Sequence, residues 1–229
     1  MEKIIFHKET KTFHLYNEEI SYIMCVLENG HMGQLYYGKR IHDKPDFSYL
    51  VEKCGRPMTS YIFEGDRSFS LEHIRQEYPV YGTTDYRHPA IEIMQENGSN
   101  ISEFQYVGYE ILKGKPSLKG LPATYTESEE EAETLKIILK DSLTGAKLTL
   151  LYTIFSKGSA IARSAHICNE GEKVLHLQTM MSLNLDLPDK DYVWMQLSGA
   201  WSRERYVKNR ILEQGITAID SMRGNSSHE

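Results

Sequence analysis

The chain has 229 residues, 40% hydrophobic and 25% charged, enough to bury a sizeable core and too balanced for a disordered polypeptide. Its formal net charge is −6, and no block of Lys or Arg is long enough to follow a phosphate backbone, which argues against a nucleic-acid partner. No run of about eighteen apolar residues suits a membrane span, and the start, MEKIIFHKETKTFHLYN, lacks the apolar core and cleavage site of a signal peptide.

Read in chain order, the dominant period is two. Strands are expected at Thr12 to Tyr16, Ser21 to Leu27, Gln34 to Tyr37, Ala90 to Met94 and Ile101 to Leu112. Between them, Arg40 to Ser68 reads as a long loop rich in Asp, Pro and Gly, and its aromatics point to a functional loop. Ser70 to Gln76 suits a turn or two of helix, capped by Ser70 and ended before Pro79. The acidic stretch Glu127 to Glu133 reads as a solvated edge, since its carboxylates repel one another.

Further strands follow at Thr134 to Asp141, where Leu135, Ile137 and Leu139 alternate with lysines, and at Ala160 to Cys168. Lys147 to Phe155 is apolar or β-branched throughout, as a strand covered on both faces would be. Val174 to Leu187 places Leu175, Leu177, Met181, Leu183, Leu185 and Leu187 on one face, predicting one long, half-buried strand. Turn signals such as Glu28-Asn29-Gly30, Glu96-Asn97-Gly98 and Leu143-Thr144-Gly145 separate these segments. About ten short strands with little helix predict an all-β, large antiparallel sandwich as one domain over 1–229.

No P-loop, GxGxxG, GxSxG or HExxH occurs, so no nucleotide, hydride, serine-hydrolase or zinc-protease chemistry is indicated, and no cofactor or metal is expected. Cys25, Cys54 and Cys168 are far apart and lack metal or redox spacing, which predicts free thiols in a reducing, cytoplasmic setting. The 15 Tyr are explained by strand propensity, though Tyr also suits sugar-binding surfaces.

Two clusters stand out, Gln76 to Ala90 (QEYPVYGTTDYRHPA) and Leu197 to Tyr206 (LSGAWSRERY). Sugars offer an apolar CH face to an aromatic ring and hydroxyls to Arg and carboxylates, and both clusters supply such partners. On the residues alone, Trp201 reads equally well as core, with the neighbouring arginines paired to nearby Glu.

These clusters, with Tyr37-Gly38-Lys39-Arg40, Gly114-Lys115-Pro116 through Gly120 to Tyr125, Glu131 to Leu135, Arg163-Ser164-Ala165, Gly199-Ala200-Trp201 and Arg223 to His228, resemble the N-terminal domain of bacterial α-galactosidases of glycoside hydrolase family 36. The resemblance implies a β-supersandwich, followed in the family by a (β/α)8 barrel with two catalytic aspartates and a small C-terminal β domain. The barrel is absent from the chain, so the resemblance implies a sandwich still unfinished at Glu229, with no catalytic residue, and inactive by itself. It further implies a parent enzyme that releases terminal α-galactose from melibiose- or raffinose-type galactosides with retention. The partners so implied are galactosides, the enzyme's own barrel, and further subunits in a tetramer. In bacterial members this domain lends the pocket a Trp, here Trp201, and an acid from the loop after the Gly-Lys pair. Asp46 is expected to be that acid, with Glu52 the alternative. Two other readings are a stand-alone carbohydrate-binding module and an epimerase-like sandwich; the latter needs a convergent His and carboxylate, which does not stand out.

Overall fold

A computed structural model describes residues 3–55, 58, 60–120 and 123–220; the expected motif Arg223 to His228, and Leu121 and Pro122 of the Gly120 to Tyr125 motif, lie outside them. The chain divides into two compact units, Met1–Asp186 and Leu187–Glu229.

In the first unit, β1 (Ile4–His7), β2 (Thr12–Tyr16), β3 (Ile20–Val26) and β4 (Met32–Lys39) form an antiparallel meander. After β5 (Ile91–Gln95), a second meander follows: β6 (Phe104–Lys113), β7 (Ala132–Asp141), β8 (Ala146–Phe155) and β9 (Ile161–Asn169). β10 (Leu175–Met180) returns to pair with β5. Helix is confined among the described residues to two single 3-10 turns, Ser48–Leu50 and Glu129–Glu131, so the all-β reading holds.

Period two places the core. Phe13, Leu15, Tyr22 and Met24 of the first sheet meet Leu135, Ile137, Leu139, Leu148, Leu150, Tyr152 and Ile154 of the second in one buried cluster. Even residues of β8 point inward, whereas Lys147, Thr149 and Leu151 are only half-buried, so β8 is less fully covered than its apolar sequence predicts. β3 is covered on both faces. Tyr22 and Met24 enter the main core, while Ile23 and Cys25 enter a second cluster with Phe47, Phe69, Leu71 and Ile74.

That second cluster gives aromatics of the Arg40 to Ser68 connection, Phe47 and Phe63, a packing role. Phe47 and Phe69 are anchors that seal the outer face of the first sheet, with Phe63 packed against them. A sheet face that is not wet must be covered, and here a long connection covers it. The helix expected at Ser70 is a single turn, Ile74 N–H to the Ser70 carbonyl at 3.1 Å. The backbone then pairs with the β4 edge instead, Gln34 N–H to Arg75 O and Glu77 N–H to Met32 O.

The long strand expected over Val174 to Leu187 stops at Met180. A bulge at Gln178 moves the phase by one residue, so Met180 packs against the core and Met181 does not. β5 is only five residues long, and beyond its end the extended chain bonds to loops and side chains. Met181 N–H donates to Ala90 O at 2.8 Å, Asn184 Nδ2 to Gln76 O at 2.8 Å, and Gln34 exchanges two bonds with the Asp186 backbone.

The second unit is described as a hairpin, β11 (Val193–Ala200) with β12 (Arg203–Ile211). Sequence reasoning took part of it for a sugar-binding cluster and missed both strands, because Gly199 and the Arg203 to Arg205 charges mask their alternation.

Candidate functional site

Trp201 sits at the tip of that hairpin. Leu197 pairs with Val207 and Ser198 with Tyr206, the register slips at Gly199, and Ala200 pairs with Arg203. A two-residue turn remains, Trp201-Ser202, with Ser202 in the left-handed region at φ 66°. Gly199 is required there, since a Cβ on it would lie 2.0 Å from the Arg203 carbonyl oxygen. Glu204 accepts the Ser202 N–H at 2.7 Å and braces the turn. Trp201 is 82% exposed at this turn. Arg203 and Arg205 are exposed and make no ion pair among the described residues. The tip therefore presents an indole face beside uncommitted guanidinium donors, the two kinds of contact a sugar uses.

Asp46 lies in the first unit, in the connection after β4, and is exposed. Its carboxylate accepts the Ser48 N–H at 2.7 Å, starting the 3-10 turn, and that backbone bond holds it below the ordinary carboxylate range. Glu52 is exposed just after the turn. Trp201 and Asp46 thus belong to different units, and each is open to solvent where its own unit presents it.

Sequence reasoning missed the buried polar network of the first unit. Glu77 is fully buried, and Tyr152 Oη at 2.6 Å, Arg163 Nη2 at 3.1 Å and the Tyr22 hydroxyl all donate to its two oxygens. Burial pushes the Glu77 carboxyl up and Arg163 opposes that shift; burial also raises both tyrosines well above their ordinary value. Arg163 Nη1 continues to Asn184 O at 2.8 Å. Above this network lies a pocket of about 270 Å³, lined by Tyr37, Ile161, Arg163, Leu183 and Leu185 among others. Gln76 and Asp85 form a neighbouring network with His31 and Arg87. The QEYPVYGTTDYRHPA cluster thus supplies largely internal bonds, although Tyr81 and Tyr86 remain exposed as an edge-to-face pair 5.6 Å apart. Among the described residues, no group of three or more His, Cys, Asp or Glu is arranged to hold a metal ion.

Residues 30–229 match the family model described as the glycosyl hydrolase family 36 N-terminal domain. The α-galactosidase AgaA of Geobacillus stearothermophilus is 42% identical over 226 residues, which is 99% of the chain and 31% of that relative. The crystal structure of the α-galactosidase from Lactobacillus brevis superposes with a TM-score of 0.93 at 38% identity, covering 99% of the chain and 30% of that structure. A raffinose complex of AgaA superposes with a TM-score of 0.88 at 43% identity, over 96% of the chain and 30% of that structure. The chain therefore spans about a third of the length of the relatives it matches.

Proposed function

Because the chain belongs to the glycosyl hydrolase family 36 N-terminal domain family, we propose that it is the front domain of an α-galactosidase releasing terminal α-D-galactose from raffinose-type galactosides. The observation that carries this reading is the match of residues 30–229, together with the TM-score of 0.93 to a solved α-galactosidase. The raffinose complex of AgaA supports the substrate class.

Hydrolysis with retention places two carboxyl groups about 5 Å apart, one the nucleophile and the other the acid/base. In this reading the barrel supplies both, and the present chain supplies the wall of the galactose pocket. Trp201 stacks on the apolar face of the sugar, and Asp46 accepts hydrogen bonds from its hydroxyls. The exposure of Trp201 at a turn that only a glycine-bearing bulge permits supports a residue held out for a ligand. A tetrameric assembly rests on the resemblance to bacterial members. The three free thiols, Cys25, Cys54 and Cys168, support a reducing, cytoplasmic setting.

Trp201→Ala in the full-length enzyme tests this role. A lost sugar contact predicts a fall of roughly 5- to 150-fold in kcat/KM for raffinose, equivalent to about 1–3 kcal/mol. The melting temperature should move by less than about 2 °C, because in this reading Trp201 packs on the sugar and not in the core. Unchanged kcat/KM would remove Trp201 from the pocket. Galactose binding by the isolated chain would instead favour a stand-alone carbohydrate-binding module.

A further inference from the structure

Asp46 is exposed, yet the loop that carries it is not free. Asp43, three residues earlier, receives two imidazoles on one oxygen: His14 Nδ1 at 2.7 Å from β2 and His7 Nε2 at 2.9 Å from β1. The far side of His14 is also engaged. Ser21 Oγ accepts the Ile41 N–H at 3.1 Å, leaving its own hydroxyl proton for His14 Nε2 at 2.9 Å. The ionised Asp43 carboxylate can only accept, so His14 donates to it from Nδ1, and burial lowers the His14 pKa. Burial acts to raise the Asp43 carboxyl, but the bonds from His14 and His7 outweigh it and hold the group below its ordinary value.

Two more anchors bracket Asp46. Thr10 Oγ1 donates to Pro45 O at 3.1 Å, and Phe47 is fully buried with its ring edge-on to His14, centroids 5.5 Å apart. The residues on both sides of Asp46 are thus held against the first sheet and its β1–β2 turn, and Asp46 between them is exposed.

From this geometry we infer that Asp43 is a positioning residue for the pocket acid: the His7–Asp43–His14 clamp fixes the Pro45-Asp46-Phe47 segment and so sets where the Asp46 carboxylate meets substrate. The inference rests on the reading of Asp46 as a pocket residue. A preorganised carboxylate binds better because less loop freedom is lost on binding. Ser21, His14 and Asp43 resemble a hydrolytic triad, but Ser21 is fully buried and its oxygen holds the Ile41 N–H, so the group acts as an anchor.

The test compares Asp43→Ala, Asp43→Asn, Asp46→Ala and Asp43→Ala/Asp46→Ala in the full-length α-galactosidase, with raffinose as substrate. Asp43→Ala should raise KM at least threefold, no further than Asp46→Ala does, with kcat within about twofold. Asp43→Asn keeps an oxygen for both imidazoles and should restore most of the affinity. The double variant should match Asp46→Ala alone, because the clamp acts only through that acid. An unchanged KM in Asp43→Ala beside a raised KM in Asp46→Ala, or additive losses in the double variant, would overturn the positioning role while leaving the pocket reading intact. An unchanged KM in Asp46→Ala would remove both. If Asp43→Ala does not fold, His7→Ala removes one arm of the clamp at a partly exposed site and should raise KM in the same direction; no change would overturn the proposal.

Discussion

Thr83 and Thr84 occupy the two central positions of a tight turn, both in the left-handed region at φ 51° and 75°. Gly82 N–H donates to Asp85 O at 2.9 Å, and Asp85 N–H returns to Gly82 O at 3.0 Å. That turn asks for Asn-Gly, and β-branched residues in it cost about 1–2 kcal/mol each. Among the described residues neither threonine hydroxyl finds a partner, although both oxygens are buried. The strain is sustained by Asp85, which Gln76 and Arg87 hold from below at 2.6 and 2.9 Å. Thr84→Gly should therefore raise stability by about 1 kcal/mol, seen as a higher urea midpoint at unchanged slope. A lower midpoint would show that the Thr84 side chain makes a favourable contact that outweighs its backbone strain.

At the scale of elements, Glu77 ties together pieces that are remote in sequence. Tyr22 comes from β3, Tyr152 from β8 and Arg163 from β9, so one carboxylate links the two facing sheets. Arg163 also holds the extended segment after β10 through Asn184 O, where ladder bonds have ended. Buried charges of this kind add little net stability as a pair, but breaking the pair strands the survivor. Glu77→Gln should cost about 3–5 kcal/mol by leaving the Arg163 guanidinium buried without a counter-charge. A loss below about 1 kcal/mol in equilibrium denaturation would mean that solvent reaches Arg163 and the network is not a closed one.

For the molecule as a whole, acid stability carries the signature of buried neutral histidines. His31 is buried, and desolvation lowers its pKa from 6.5 despite the hydrogen bond to Gln76, 2.9 Å away. Below that ordinary value the unfolded chain takes up a proton that folded His31 resists. The stability His31 carries above pH 6.5 is therefore lost as pH falls towards its lowered folded value. His31→Gln abolishes that loss, so the stability gap between parent and variant should narrow from pH 7 to pH 5. His14 shifts in the same direction but is present in both proteins and cancels in the comparison. A gap that stays constant or widens would mean that His31 is protonated in the folded state.

Period two, the turn signals and the family's own stretches, such as GAW at Gly199-Ala200-Trp201, are local, and local patterns are legible in a sequence. They determined the all-β class, eight of the strands to within a few residues, and the family to which the chain belongs. The tertiary structure decided what depends on residues far apart. Phe47 reads as a loop aromatic until the outer face of β3 is seen to need covering. The leucine alternation after Met180 persists, but a strand requires a partner and β5 has ended. Glu77 meets Arg163 across 86 residues and Asp43 meets His14 across 29, and no periodicity announces either encounter. Chain folding creates those sites by desolvating polar groups together, and a buried polar group must then find its donors wherever the fold has brought them.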